Sequence, residues 1–559
     1  MRKRKIFAHT LLASLLLLAT GCQMPDNSDK HIFRYNESAG IATLDPAFAK
    51  DQALIWGCSQ LYNGLVQLDE NLQPQPCIAK QWQISDNGKT YTFTLRNNVY
   101  FHKNKLFKTT DSTRTVNAHD VLYSFQRILD PKVASPGRWV FEEVERFEAL
   151  DDSTFIIRLK QPFGPFLSLL GMAYCSVVPH EVVEHYGEDF RQHPCGTGPF
   201  QLQLWKEGVK LVLRKNPLYF EYDTIFNSQS SIFNLHRLPY LDAVAVTFIV
   251  DKQAVFLEFV KGNLDFMNSL DASYKDELLT RTGELKAKYA DRIDMVSTPF
   301  LNTEYLGFNM ARSTSGGNLS DEVLKDKRVR QAINCGFDRE KMMRYLRNGI
   351  GQPGTGGMIP CGLPGEAMPG DSHYGYHYNP ELAAQLLAEA GYPGGKGLPP
   401  LTLSTTSSYL DLCKYIQQQL GLLGIEVQLD VNPPAALREH ISQGKSSWFR
   451  GSWIADYPDA ENYLQLFYSE NRCPVGANYT RYSNAKYDAL YRKAKSTADE
   501  QERIVLYRQM DSLIMEEAPV VVLYYDQILH FTHKNVSGLR SNAMNALDLR
   551  RVRIAKKER

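Results

Sequence analysis

The chain has 559 residues, 43% of them hydrophobic, with 63 Lys and Arg against 62 Asp and Glu. That length supports two or three domains, each around a sizeable core. The near-neutral charge excludes the strongly basic surface that a nucleic-acid partner demands, and beyond the N-terminus no stretch approaches the ~18 apolar residues of a membrane span.

The chain opens on Arg2-Lys3-Arg4-Lys5, then runs apolar from Ile6 to Ala19, broken only by His9, Thr10 and Ser14, and ends this segment at Ala19-Thr20-Gly21-Cys22. A basic start, a short apolar run and small residues at its end make a secretory signal. A cysteine at the cut site resembles the bacterial lipoprotein signal, in which that cysteine becomes the new N-terminus and carries lipid. Ala19 stands where that pattern usually has Leu, with Leu18 one place earlier. The resemblance implies a signal over 1–21, lipidation at Cys22 and a polar tether over 22–30. The address implied is periplasmic or cell-surface, anchored to a membrane.

The body mixes strands and helices throughout. Alternation of apolar and polar residues predicts strands at Tyr91–Leu95, Phe155–Leu159, Val244–Val250 and Ile425–Val431. Ser320 can cap a helix whose apolar positions are Val323, Leu324, Val329, Ala332 and Ile333. The Gly- and Pro-rich stretch Gly349–Gly370 reads as a long surface connection. Asn379-Pro380 opens a helix that Gly391 closes, and another helix runs over about Leu412–Leu423. Val520–Tyr525 is a continuous apolar run, which suits a strand buried on both faces. The terminal residues Arg550, Arg551, Arg553, Lys556, Lys557 and Arg559 read as a solvated basic tail. With no repeat of 20–50 residues, solenoids and propellers are excluded.

Catalytic and metal signatures fail on context. Gly349-Ile350-Gly351-Gln352-Pro353-Gly354 has the letters of a dinucleotide loop, but it follows a helical stretch, and Pro353 stands where the phosphate-binding helix would begin. His180 and His185 are five residues apart, which turns them ~140° from a shared helix face. His373 and His377 have closer spacing but lie in Gly-rich sequence. No nucleophile elbow or phosphate loop appears, so nothing argues for an enzyme, a cofactor or a metal. Eight cysteines follow Cys22 without a CxxC pair. An oxidising compartment permits disulfides in any of 105 pairings, and buried free thiols are the alternative.

Several blocks converge in order along the chain. They are Leu44-Asp45-Pro46, Tyr62-Asn63-Gly64-Leu65-Val66, Ile78-Ala79-Lys80 through Leu95-Arg96, Asn117 through Arg127, and Gly196-Thr197-Gly198-Pro199-Phe200. Asn216-Pro217, Gly262 through Asp265, Lys327 through Asn334 with Asp338-Arg339-Glu340, Leu386 through Tyr392, and Ala518-Pro519 before Leu523-Tyr524-Tyr525 continue the series. Together they resemble the extracytoplasmic solute-binding proteins of peptide-type ABC importers, the oligopeptide- and dipeptide-binding group. The main departure is Lys103-Asn104-Lys105 after His102, with extra residues near Phe107–Thr115 that lengthen a surface loop.

The resemblance implies an α/β, two-lobed, hinged periplasmic-binding-protein fold with an additional domain in the larger lobe. Mapped by order, the first lobe takes 31–75, 196–297 and 516–550, the additional domain 76–195, and the second lobe 298–515, with hinges near 297 and 516. It further implies a monomeric, non-enzymatic receptor that captures short peptides and delivers them to an ABC permease. Asp456, three residues after Trp453, is expected to accept the ligand's α-ammonium, and Arg450 to meet its carboxylate. Trp453, Leu44–Ala47 and Tyr305–Asn309 (Tyr305 and Asn309 foremost) are expected walls of the cleft. The alternatives are another solute in the same fold (nickel, haem, glutathione or a sugar) or a secreted lipoprotein hydrolase.

Overall fold

The computed structural model describes residues 30–227, 232–271, 274–311, 322–366 and 374–555. The signal, Cys22, Ser320, His373 and the last four residues lie outside them.

One eleven-stranded mixed sheet organises both lobes. In chain order its strands are β1 (Ile32–Asn36), β2 (Phe200–Lys206), β3 (Lys210–Lys215), β4 (Ala243–Thr247), β5 (Phe266–Asn268), β6 (Ile293–Phe308), β7 (Gln352–Pro353), β8 (Leu401–Thr405), β9 (Val427–Val431), β10 (Trp448–Ile454) and β11 (Val520–His533). Across the sheet they run β9-β8-β10-β6-β11-β5-β1-β4-β3-β2, and β7 pairs with β11. The antiparallel pair β6 and β11 is long enough to belong to both lobes. Their register slips between Pro299 and Thr303 and again between Glu304 and Tyr305. On one side of the first slip Ile293–Pro299 pairs with His533–Gln527; on the other, Thr303–Gly307 pairs with Tyr525–Val520.

The cores divide at the same place. Leu529, Phe531 and Ile293 pack with Phe256 and Tyr289. Val520 and Val522 enter one core of the second lobe, with Tyr463 and Tyr487, while Val521 and Leu523 enter the other, with Trp448 and Ile416. The apolar run Val520–Tyr525 is thus buried on both faces, because alternate side chains point into cores on opposite sides of the sheet. The helix Glu500–Glu517 packs its inner face, Tyr507, Met510 and Ile514, into the same core as Val520 and Val522. The change of core falls at the register slip, 299–303 on β6 and about Asp526 on β11.

The additional domain is a four-stranded antiparallel sheet in the order Ala79–Ile84, Thr90–Leu95, Thr154–Leu159, Val144–Ala149. The helix Ala118–Leu129 covers it, started by a reciprocal capping box between Asn117 and Asp120. Its aromatics Phe93, Phe125 and Phe155 belong to one continuous core with Phe33 and Trp56 of the first lobe. Domain and lobe therefore move as a unit. This unit touches the second lobe where Lys495 Nζ meets Glu143 Oε1 at 2.7 Å and where the rings of Trp139 and Tyr457 lie 6.0 Å apart.

Most predicted elements are present with shifted ends. The strand expected to reach Val250 stops at Thr247, and the helix expected from Ser320 is regular over Lys327–Cys335, capped by Asp326. Asn379 caps Pro380–Glu389 as expected. All eight described cysteines are free thiols, seven of them buried. The basic tail is not simply solvated. Arg550 is partly buried, bonded to Asp548 at 2.8 Å and to Glu221 at 2.7 Å, which ties the C-terminal segment to the first lobe.

Candidate functional site

A cavity of about 930 Å³ lies between the lobes. From the first lobe and its additional domain come the start of the helix Gln52–Leu61, the turn after the short strand Val66–Leu68, Trp139 and Gly171–Tyr174. The slipped segment of β6 supplies Phe300 and Leu301, the loop after β10 supplies Ile454–Pro458, and the C-terminal loop supplies Arg540–Asn542.

Asp456 reaches this cavity because it stands just past the end of β10. The strand's last pairing is Ile454 with Asn302, and the loop is then fixed by Asn462, whose Oδ1 accepts from both Trp453 Nε1 (2.8 Å) and the Asp456 backbone N–H (3.2 Å). No cation among the described residues lies within ion-pair distance of the Asp456 carboxylate. Asp456 is open to the cavity, but desolvation by the surrounding walls pushes its carboxyl above the ordinary range, partly offset by the Asn462 amide. Opposite stands Tyr174, whose hydroxyl is pushed up to about 12 by burial and then by two carboxylates, Asp456 and Asp51. Asp51 caps its helix through Leu54 N–H at 3.1 Å and otherwise faces the cavity. Two acids from opposite lobes therefore flank one tyrosine, an arrangement that favours a cation between them. Aromatic faces from Trp139, Tyr457 and Phe300 add walls suited to an ammonium group and to apolar side chains.

The other expected ligand residues do not line the cavity. Strand alternation sends Arg450 and Trp453 to opposite faces of β10. Arg450 forms an ion pair with Glu304 and lies 3.3 Å from the centre of the Tyr409 ring. Trp453 packs on the second-lobe core with Tyr305, which is buried; a Cβ on Gly451 would come within 2.7 Å of the Tyr305 ring. Asn309 is turned to the Gly444 carbonyl at 3.0 Å. Leu44–Ala47 is likewise internal, with Asp45 paired to Arg127 at 2.6 Å. Of the residues expected at the ligand, Asp456 lines this cavity and the others do not. The walls not expected from the sequence are Trp139 and Tyr174 on short helical turns, Tyr457 in a loop and Phe300 where β6 slips, none of which carries a periodic signal.

One group of potential metal ligands, Asp120, His180 and Glu181, comes together elsewhere. The Arg114 guanidinium already occupies it, with bonds of 2.7 Å to each carboxylate.

Comparison with known proteins agrees with this architecture. Residues 73–473 match the family described as bacterial extracellular solute-binding proteins, family 5. A curated relative, the glutathione-binding protein GsiB of Salmonella typhimurium, is 26% identical, with 96% of each chain covered. The periplasmic binding protein DppA of Helicobacter pylori, solved with the peptide STSA, is 25% identical at a TM-score of 0.70, covering 94% of this chain and 98% of that one. HbpA2 of Haemophilus parasuis superposes with a TM-score of 0.78 at 23% identity, covering 94% of this chain and 100% of that one. The chain belongs to the family 5 extracellular solute-binding proteins. It has their bilobed fold with a third domain, and it is a non-catalytic binding protein that works outside the cytoplasm.

Proposed function

We propose that this family 5 receptor captures a short zwitterionic peptide, with Asp456 receiving the α-ammonium. The observation that carries the reading is an unpaired carboxylate on an interlobe cavity of about 930 Å³, flanked by a second acid and aromatic walls. That volume stands at the upper end of ordinary ligand sites, roughly 300–1,000 Å³, so a few residues fit. The ammonium is the one cation common to every peptide, and a charge-assisted bond to it is blind to side chains.

Glutathione is the favoured particular ligand to test first. GsiB is named for binding it, and glutathione is itself a three-residue peptide with a free α-ammonium and a γ-linkage. α-Linked peptides of a few residues are the second reading, favoured by the four-residue peptide in the DppA complex. Both make the same demand on Asp456. Delivery to an ABC permease, anchorage through lipid on Cys22 and a monomeric state complete the proposal.

The deciding experiment is calorimetric titration with reduced glutathione, trialanine and the N-acetylated form of each. Tight binding of one free form and at least tenfold weaker binding of its acetylated form are expected. Equal binding of free and acetylated forms would remove Asp456 from the ammonium role.

A further inference from the structure

A zwitterion brings a carboxylate as well as an ammonium, and Arg450 is already committed to Glu304. Four cationic side chains line the cavity: Lys50, Arg540, Arg550 and Arg551. Arg550 is saturated by Asp548, Glu221 and Gln67. Arg551 faces Asp223 at 3.8 Å. Lys50 adjoins Asp51, so a carboxylate held there would sit at the acidic end of the cavity and be repelled. Arg540 has a single carboxylate partner, Glu70, at 3.4 Å, and both side chains are about half exposed, 49% and 53%. Such a solvated pair is weak and readily exchanged. Among the three guanidinium groups on the cavity wall, that of Arg540 is therefore the least committed.

We propose that Arg540 forms the subsite for the ligand's carboxylate. This rests on the reading of Asp456 as the ammonium site and adds the opposite end of the ligand to it. A main-chain ladder ties the two ends together. Ala455 N–H donates to the Leu301 carbonyl at 2.9 Å, and Leu301 N–H donates to the Ala543 carbonyl at 2.9 Å. Two such steps, at about 4.8 Å each, hold Ala455 and Ala543 within about 10 Å of each other. Arg540 lies three residues before Ala543, at most about 10 Å further along the chain. An extended tripeptide spans about 10–11 Å, and the Asp456 and Arg540 side chains, reaching inward, bridge to its two ends. The span passes over Phe300 and Leu301, which form the cavity floor between them.

Titration of the purified protein with trialanine, its C-terminal amide and its N-acetyl form tests this, in parent, Arg540→Gln, Arg540→Lys and Glu70→Gln proteins, with melting curves to verify folding. Where glutathione binds and trialanine does not, glutathione and its glycine monoethyl ester replace the acid and amide. The parent is expected to bind the acid about tenfold or more tighter than the amide. Arg540→Gln should bind both equally, Arg540→Lys should keep part of the preference, and Glu70→Gln should tighten the acid about two- to threefold by removing the competing carboxylate. Equal binding of acid and amide by the parent, or an undiminished preference in Arg540→Gln, overturns the subsite. If amidation costs affinity but acetylation does not, the Asp456 reading falls and Arg540 stands. Failure of trialanine and glutathione alike to bind overturns both.

Discussion

Replacing Arg450 with Met separates two roles that the sequence leaves joined. The Arg450 side chain is 13% exposed and that of Glu304 only 3%. Burial pushes the Glu304 carboxyl upward, and Arg450, followed by Asn302, pulls it back. Without the guanidinium, Glu304 keeps only neutral hydrogen-bond partners, the Asn302 amide at 3.2 Å and the Tyr409 hydroxyl at 3.4 Å, with Asp526 repelling it and Arg347 attracting it from further off. Breaking a buried pair from one side costs about 3–5 kcal/mol, because the remaining charge is stranded. Arg450→Met should therefore lower the denaturation midpoint substantially. Glu304 in that variant would have a folded pKa well above its unfolded one, so the loss should shrink as pH falls and the carboxylate takes a proton. The double variant Arg450→Met/Glu304→Leu, which removes both charges, should recover to within about 1 kcal/mol of the parent. Denaturant titration of the single and double variants at pH 5 and pH 8 measures this, with calorimetric binding of trialanine and its amide alongside. If Arg450→Met unfolds like the parent but loses its preference for the free acid, Arg450 holds the ligand carboxylate and its role as the structural partner of Glu304 is refuted.

Asp456→Asn keeps the shape of the loop but removes the charge; free peptides should bind about tenfold or more weakly, in line with ~1.5–3 kcal/mol for a charge-assisted bond, while N-acetyl peptides change little. In the parent, affinity should fall on acidification with a midpoint above the ordinary carboxylate range, since burial raises Asp456 and only its ionised form attracts the ammonium; a midpoint at the ordinary value would remove that group from the binding step. Asp511, buried with its Oδ1 accepting from Met358 N–H at 2.8 Å, is pushed up to about 6 by burial. The folded state then holds a proton that the unfolded state has released, so stability falls by about 2 kcal/mol as pH rises from 4 to 6. Asp511→Asn should flatten that part of the curve, and an unchanged slope would show that Asp511 is not its source. Gly357→Ala would bring a Cβ to 1.9 Å from Asp511 Oδ2; a loss of about 1–3 kcal/mol is expected from the forced shift, read by the same denaturant titration.

Elements whose burial follows a simple period were legible from the sequence. Thr90–Leu95 and Thr154–Leu159 alternate because one face covers the helix Ala118–Leu129, and Val520–Tyr525 is uniformly apolar because both faces are covered. The start of Pro380–Glu389 was legible because Asn379 must satisfy an otherwise unpaired N–H. Arg450 misled because sequence spacing says nothing of strand face, and its partner Glu304 is 146 residues away. Arg550 misled for a similar reason: basic composition describes a tail, whereas Glu221 and Asp548 bury it. Most of the cavity wall was illegible. Trp139, Tyr174, Phe300 and Arg540 are single residues on unrelated loops, brought together only by the tertiary fold. Asp456 was found through family resemblance, and the chemistry of a stranded carboxylate then gave it a reason.

In the proposed reading, the same residues would serve as hinge and as binding floor. Where β6 slips register between Pro299 and Thr303, Phe300, Leu301 and Asn302 are released from pairing with β11. Phe300 and Leu301 line the cavity, and Leu301 bonds the Asp456 loop on one side and the Arg540 loop on the other. Asn302 joins Glu304 to Asp526, where β11 crosses between lobes, and Asp526 in turn binds Arg347 at 2.8 Å. A ligand spanning Asp456 and Arg540 would thus lie across the point about which the lobes rotate. Rotation there changes the separation of the two charged ends, so only one degree of closure fits a given span. A ligand shifts the hinge only by the difference in its affinity for the two states. Holding its two ends on opposite sides of the slip is an arrangement that makes this difference large. Ligand length and lobe closure are then selected by the same geometry.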